Sequence, residues 1–230
     1  MHISNIFLAM ILLSVLLSLK SNRLAALVKL VAFQGIVVSA VPLVLNTAHG
    51  LSFSLIMFFL ILVLVKGLLI PALMFIAVNK VVTSREIEPI IGYHASLFAG
   101  LIMIVLSVYI TNSLHSINYP IYIANHPHLA DFAANHKLLL VTGITTMGSG
   151  LILLMTRRKA ITQVIGYLMM ENGIYLIGTA LAKVVHAQYV VEFAVLLDLL
   201  VAVLVMGIVL NNINHTFDDV DTALLGQLKD

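Results

Sequence analysis

Cysteine is absent from this chain, which excludes disulfides, iron–sulfur clusters and thiolate metal sites within it; the absence is silent on compartment. Charge is nearly as scarce. Asp, Glu, Lys and Arg make up 10% of the residues, against about 25% in an ordinary soluble domain. A chain so poor in charge cannot cover its own surface in water, so a soluble enzyme is excluded. The formal net charge of +2 is too small for a nucleic-acid partner, and no Lys/Arg run is long enough to track phosphates. There is no Gly-rich phosphate loop, no nucleophile with a placed base, and no Cys or His metal cage. Redox catalysis needs one of these or a cofactor pocket. The chain therefore reads as a non-catalytic, cofactor-free membrane part of something larger.

What is abundant is apolar: 61% of the 230 residues are hydrophobic and mean hydropathy is +1.12. Long apolar runs recur, each near the roughly 20 residues that cross a bilayer core. They predict spans at about 3–19, 24–46, 51–78, 92–112, 138–155, 160–182 and 190–212, an all-α bundle of about seven transmembrane helices. Polar breaks separate them at Lys20–Arg23, Asn46–Gly50, Asn79–Pro89, Asn112–Lys137, Thr156–Lys159 and Lys183–Gln188. After Asn211 the tail turns acidic, with Asp218, Asp219 and Asp221, and is expected to be solvated. The first run is preceded by Met1 and His2, without Lys or Arg, and followed by Lys20-Ser21-Asn22-Arg23 rather than small residues. Both features predict a retained helix, not a cleaved signal peptide.

Lys and Arg in the connections predict orientation. With seven spans, one side holds Lys20, Arg23, Lys80, Arg85, Arg157, Arg158, Lys159 and Lys229, plus Lys29 if it snorkels back, while the other holds Lys137 and Lys183. That bias places the N-terminus outside and the C-terminus in the cytoplasm. The outer connection Asn112–Lys137 is long and carries His115, His126, His128 and His136 with Pro120 and Pro127; His49 and His186 fall on the same side. Imidazoles are good metal ligands, but His126-Pro127-His128 matches no helical ligand pair. Solvated or hydrogen-bonded surface histidines are the expectation. Haem needs facing axial ligands, and no pair of mid-span histidines exists.

The informative residues are ionisable groups inside the apolar spans. Each costs about 2.5–3.5 kcal/mol at a helix centre on insertion scales, so such groups are kept for a use or a partner. Lys66 lies mid-way along the third span with Pro71 a little over one turn later, and Glu171 lies mid-way along the sixth, in Met169-Met170-Glu171-Asn172-Gly173. Asp198 sits well inside the seventh span; Glu192 is nearer its outer end, where hydration is cheap. The two face directions about 120° apart on a helix and do not pair with each other. Loss of water makes a carboxylate hold its proton more tightly and an amine less, so buried carboxylates and amines exchange protons near neutral pH and build relays. An ion pair of Lys66 with Glu171 or Asp198 that fixes helix packing is the other reading. Gln34 beside Gly35, Asn172, and Thr142, Thr145 and Thr146 would hold water between carboxylates, or serve as ordinary interhelical hydrogen bonds, the expectation for the threonines. Pro42 and Pro71 free backbone carbonyls that neighbours must satisfy.

The stretch Arg157-Arg158-Lys159-Ala160-Ile161-Thr162-Gln163-Val164-Ile165-Gly166-Tyr167-Leu168-Met169-Met170-Glu171-Asn172-Gly173 resembles the R-x-x-x-x-Q-x-x-G-(Y/F)-x-x-M-E-N-G segment of the hydrogenase-4 component E family. Lys20-Ser21, Arg23-Leu24, Gln34, Lys66-Gly67-Leu68-Leu69-Ile70-Pro71, Val191-Glu192, Asp198, Phe217-Asp218 and Ala223-Leu224 to Lys229 also look like that family, so the resemblance covers nearly the whole chain. It implies a membrane subunit of group 4 NiFe-hydrogenase and formate hydrogenlyase complexes. The NiFe centre and iron–sulfur clusters would then lie in partner subunits, beside antiporter-like membrane partners and a peripheral hydrogenase arm. The last three helices are similar to the small K-type subunit of respiratory complex I, whose I-G-L-E motif carries a helix carboxylate followed by a second on the next helix. Here Ile165-Gly166-Tyr167-Leu168 places Leu168 at the first carboxylate position, Glu171 follows one turn later, and Asp198 matches the second.

The resemblance divides the chain into 1–137, four helices and the outer loop; 138–215, the K-type-like three-helix region; and 216–230, the acidic cytoplasmic tail. It implies a proton path through Glu171 and Asp198, with Lys66, Glu192 and Gln34 contributing, in a bacterial or archaeal plasma membrane. A scaffold subunit that moves no protons and a subunit of a multi-subunit cation/proton antiporter are the alternatives.

Overall fold

The computed structural model describes residues 3–45, 53–79, 90–125, 130–181 and 207. Among them every regular element is helical. An apolar segment has few side chains to satisfy its backbone N–H and C=O groups, and a helix satisfies them internally. The order is α1 (Ile3–Lys20), α2 (Leu24–Leu45), α3 (Phe53–Leu62), a π-helical segment π1 (Val63–Leu69), α4 (Ile70–Asn79), α5 (Tyr93–Asn125), α6 (Ala130–Thr156) and α7 (Ala160–Leu181). Because α3, π1 and α4 follow without a break, the described residues form six rods. Four of these are long and apolar enough to cross a membrane, over Leu24–Val44, Ile56–Asn79, Tyr93–Leu114 and Lys137–Thr156; the apolar stretch of α1, Ser4–Lys20, is shorter. Except for Gly207, the seventh predicted span, with Glu192 and Asp198, lies outside the described residues.

One expectation is corrected. Asn112–Lys137 is not a long loop: α5 continues to Asn125 and α6 begins at Ala130. Hydropathy marks where a helix stops being apolar, and that is not where it stops being a helix. Most polar side chains lower helix propensity by only tenths of a kcal/mol per residue, so backbone bonds continue through them.

Central α1 packs on α2, α5 and α6, while α2 also meets α7 and the third rod, and α6 meets α5 and α7. The tightest pair is α6 with α7. A side-chain carbon at Gly150 would lie 2.3 Å from the Met170 nitrogen and 2.8 Å from the Gly166 carbonyl oxygen. One at Gly173 would lie 2.2 Å from the Met147 nitrogen and 2.8 Å from the Gly143 oxygen. The antiparallel backbones touch at these two levels, which only glycine permits; such small-residue contacts let apolar helices associate by packing alone.

Two buried apolar clusters fill the ends of the bundle. One gathers Leu19, Leu24, Leu27, Met74, Val78 and Ile161; the other gathers Leu8, Ile11, Val38, Leu62, Leu139 and Leu176. At the first end the α1–α2 turn, the start of α5 and the α6–α7 turn are tied together by Arg157. Its Nη2 donates to the Leu19 carbonyl at 3.0 Å, its guanidinium lies 4.5 Å from the Tyr93 ring centroid, and the Ile90 N–H donates to the Thr156 carbonyl at 2.9 Å. A cation on a helix's last carbonyls also complements the helix dipole. This basic end carries Lys20, Arg23, Arg158 and Lys159 as well. The outward faces of the third rod and α5 are apolar, with Phe53 78% and Val105 and Tyr109 each 70% exposed. Faces of that extent are costly in water and ordinary in hydrocarbon.

Candidate functional site

Lys66 stands at the centre of π1. Pro71 follows five residues later and has no N–H to return to the preceding turn; just before it, the Ile70 N–H reaches back to the Val65 carbonyl, a π-register bond. Single π turns of this kind recur at functional positions. Two glycines bring the widened turn against α2. A side-chain carbon at Gly35 would lie 3.0 Å from the Lys66 Cβ and 3.3 Å from its carbonyl oxygen, and one at Gly67 would lie 2.7 Å from Ile36.

From this position the Lys66 ammonium is aimed at α7. Its Nζ pairs with Glu171 Oε1, donates to Asn172 Oδ1 at 3.3 Å and lies 5.5 Å from the Tyr175 ring centroid. Asn172 Nδ2 in turn donates to Gln34 Oε1 at 3.5 Å. Lys66 is 6% exposed and Glu171 2%; Asn172 and Gln34 are also buried. Gln34, Lys66 and Glu171 each fall near the middle of their rods, so the cluster sits at mid-height, between the two apolar clusters.

The chain of amides has a fixed polarity. An ammonium only donates, so the Asn172 oxygen must face Lys66 and its nitrogen must face the Gln34 oxygen. That leaves Gln34 Nε2 as a buried donor with no hydrogen bond among the described residues. A cavity adjoins the ion pair, lined by Val31, Gly35, Met74, Leu168 and Glu171 among others. About 20 Å³ of it is open to the centre of a water molecule, room for roughly one water by the usual criterion of about 10–15 Å³ each.

The chemistry open to such a pair is proton exchange. Transfer of one proton from Lys66 Nζ to Glu171 Oε1 converts an ammonium–carboxylate pair into an amine and a carboxylic acid, removing two charges from a low-dielectric interior. Burial penalises the charged form, direct contact favours it, and the balance is open to any charge that changes nearby.

Of the residues singled out in the sequence, the structure brings together Lys66, Glu171 and Gln34, with Asn172 joining them. Glu192 and Asp198 lie outside the described residues. The three threonines do not extend the cluster: Thr145 Oγ1 pairs with Ser107 on α5 at 2.7 Å, whereas Thr142 and Thr146 donate to the carbonyls of Leu138 and Thr142 on their own helix. Sequence reasoning did not find π1, the ring of Tyr175 or the burial of Arg157. Gly67 and Pro71 beside a mid-span lysine were the available signal for π1. The matched seven-residue spacing of Gly143 and Gly150 with Gly166 and Gly173 was the signal for the α6–α7 contact.

The geometry defines a class: an all-helical bundle with membrane-length apolar helices and a buried Lys–Glu pair where three of its rods meet. No family model matches the sequence. An uncharacterised protein of Mycobacterium tuberculosis, Rv0085, is 28% identical over 208 residues, a similarity that covers 90% of this chain and 87% of that one. No solved structure matches the chain.

Proposed function

We propose that this chain is a non-catalytic, multi-pass membrane subunit of a complex I-like group 4 NiFe-hydrogenase assembly and that its Lys66–Glu171 pair handles protons. In this reading the chain has seven spans in a bacterial or archaeal plasma membrane. Its N-terminus is outside and its basic end faces the cytoplasm. Glu171 exchanges protons laterally with Asp198, Glu192 lies toward the outer end of the path, and the NiFe centre and iron–sulfur clusters belong to partner subunits. One observation carries the proposal: an ammonium and a carboxylate are in contact at mid-height, desolvated, beside a cavity with room for water. Intramembrane ionisable groups in such positions mark proton routes in pumps and transporters. The resemblance of Met170-Glu171-Asn172-Gly173 to the M-E-N-G segment supports the choice of assembly.

The same pair favours a second reading, a scaffold in which Lys66 and Glu171 pin the third rod to α7 and move nothing. The test is Glu171→Gln and Lys66→Met in the assembled complex, with protons translocated per turnover measured in sealed vesicles. Proton handling requires the ratio to fall in both variants. Lower yield of complex with an unchanged ratio selects the scaffold. A Na⁺ requirement without hydrogenase partners selects the antiporter alternative.

A further inference from the structure

The cavity beside Lys66 and Glu171 is one-sided. Gly35, Lys66, Glu171 and Asn172 line it at the level of the pair; its other residues all lie to one side, Val28, Val31 and Ala32 toward the α1–α2 turn, Ile70, Pro71 and Met74 toward the end of α4, and Ile165 and Leu168 toward the α6–α7 turn. These three directions converge on one place, the basic end. Among the described residues the opposite half is packed with apolar side chains: Val37, Val38, Val41, Leu62, Tyr175 and Leu176 are all buried there and lie together.

The barriers on the two sides are unequal. From Val28, Met74 and Ile165 to the nearer ends of their helices at Leu24, Asn79 and Ala160 is about 6–8 Å at 1.5 Å per residue. From Gln34 and Glu171 to the far ends at Leu45 and Leu181 is about 15–17 Å by the same rise. A water placed in the cavity is thus separated from the basic end by little more than one turn of apolar side chains, and from the other end by roughly three. Any barrier to moving an ion through apolar packing grows with its thickness.

We propose that the cavity is the aqueous entry to the Lys66–Glu171 pair and that it connects the pair to the basic end alone. Protons reach Glu171 from the side carrying Lys20, Arg23 and Arg157, through a thin plug made by Val28, Met74 and Ile165. Protons leave by a different route, since the described side chains beyond Gln34 and Tyr175 pack as a buried apolar cluster. The inference rests on reading the pair as proton-exchanging, and its test reads access rather than transport.

The chain has no cysteine, so single cysteines report without background from it. Val31→Cys and Met74→Cys probe the cavity, Val38→Cys and Leu176→Cys the opposite half, and Asn22→Cys marks the basic end itself. In the assembled complex, in sealed vesicles of each orientation and in chloride-free buffer, Ag⁺, an ion smaller than a water molecule, is applied from one side. Thiols left unreacted are then counted with a polyethylene-glycol maleimide after denaturation.

Ag⁺ is expected to block Val31→Cys and Met74→Cys at least tenfold faster from the side that blocks Asn22→Cys than from the other, and to leave Val38→Cys and Leu176→Cys labelled from that side. Faster block of the cavity cysteines from the far side overturns the inference, as does no block from either side while Asn22→Cys reacts. If a cavity variant does not assemble, Ala32→Cys, at a partly exposed cavity position, reports in its place. One-sided access with an unchanged proton ratio in Glu171→Gln would retain the entry and refute the proton role, so the two failures are distinct.

Discussion

At the level of single residues, Lys66 and Glu171 are costly choices, charged groups buried at mid-height. Each would be expensive to bury alone, and contact makes the pair tolerable. Removing one partner of a buried pair costs about 3–5 kcal/mol, while replacing both by apolar groups of similar volume is often neutral or stabilising. Lys66→Met and Glu171→Leu are therefore each expected to lower the thermal midpoint of the detergent-solubilised protein. The double variant should recover most of the loss. Equal losses that add would show that the two side chains do not interact. Lys66 and Glu171 were legible in the sequence as ionisable groups in apolar runs, but their pairing was one of two readings there, with Asp198 as the other partner. Sequence position specifies height along a helix; it does not specify which neighbours face each other.

At the level of elements, apolar runs placed the helices closely: α1, α2, α3 to α4, and α7 begin and end within a few residues of the predicted spans. The lower parts of α5 and α6 did not follow, because polarity at Asn112–Lys137 marks the edge of an apolar stretch and not of a helix. The π turn was only partly signalled, by Gly67 and Pro71 beside Lys66. Its cause is the joint demand of Pro71, Gly67 and the fit of Lys66 against Gly35, and the last of these exists only once α2 is in place.

The glycines of α6 and α7 give a graded expectation at this level. Gly150→Ala sets a carbon against backbone atoms at 2.3 Å and forces the helices apart; a loss of about 1–3 kcal/mol or more is expected, the range for overpacking. Gly148→Ala meets the end of Met103 at 1.9 Å, a flexible methyl that can swing aside, so the loss is smaller. Gly92→Ala meets nothing within 4 Å and should lie within about 0.5 kcal/mol of the parent. Thermal midpoints of the three variants rank the contacts, and equal midpoints would refute the close approach of α6 and α7.

At the level of the whole molecule, outward apolar faces on the third rod and α5 call for hydrocarbon or protein around them. The chain is expected to stay in the membrane fraction after alkaline carbonate washing and to leave it only with detergent. Gentle solubilisation is expected to bring down other integral membrane subunits together with chains that carry a NiFe centre and iron–sulfur clusters. Release by carbonate would end the membrane assignment, and a pull-down lacking metal-bearing partners would end the choice of assembly.

Composition determined that this chain is apolar and poor in charge, and its long apolar runs pointed to helices, because a backbone denied polar neighbours satisfies itself internally in a helix. Local pattern determined where most helices run and which residues are too expensive to be idle. Only the tertiary structure decided that Lys66 meets Glu171, that two amides continue from it in one polarity, and that the cavity lies toward the basic end. Those are facts about which faces of distant helices touch, and they are set by glycine contacts and side-chain shape, which act between segments far apart along the chain.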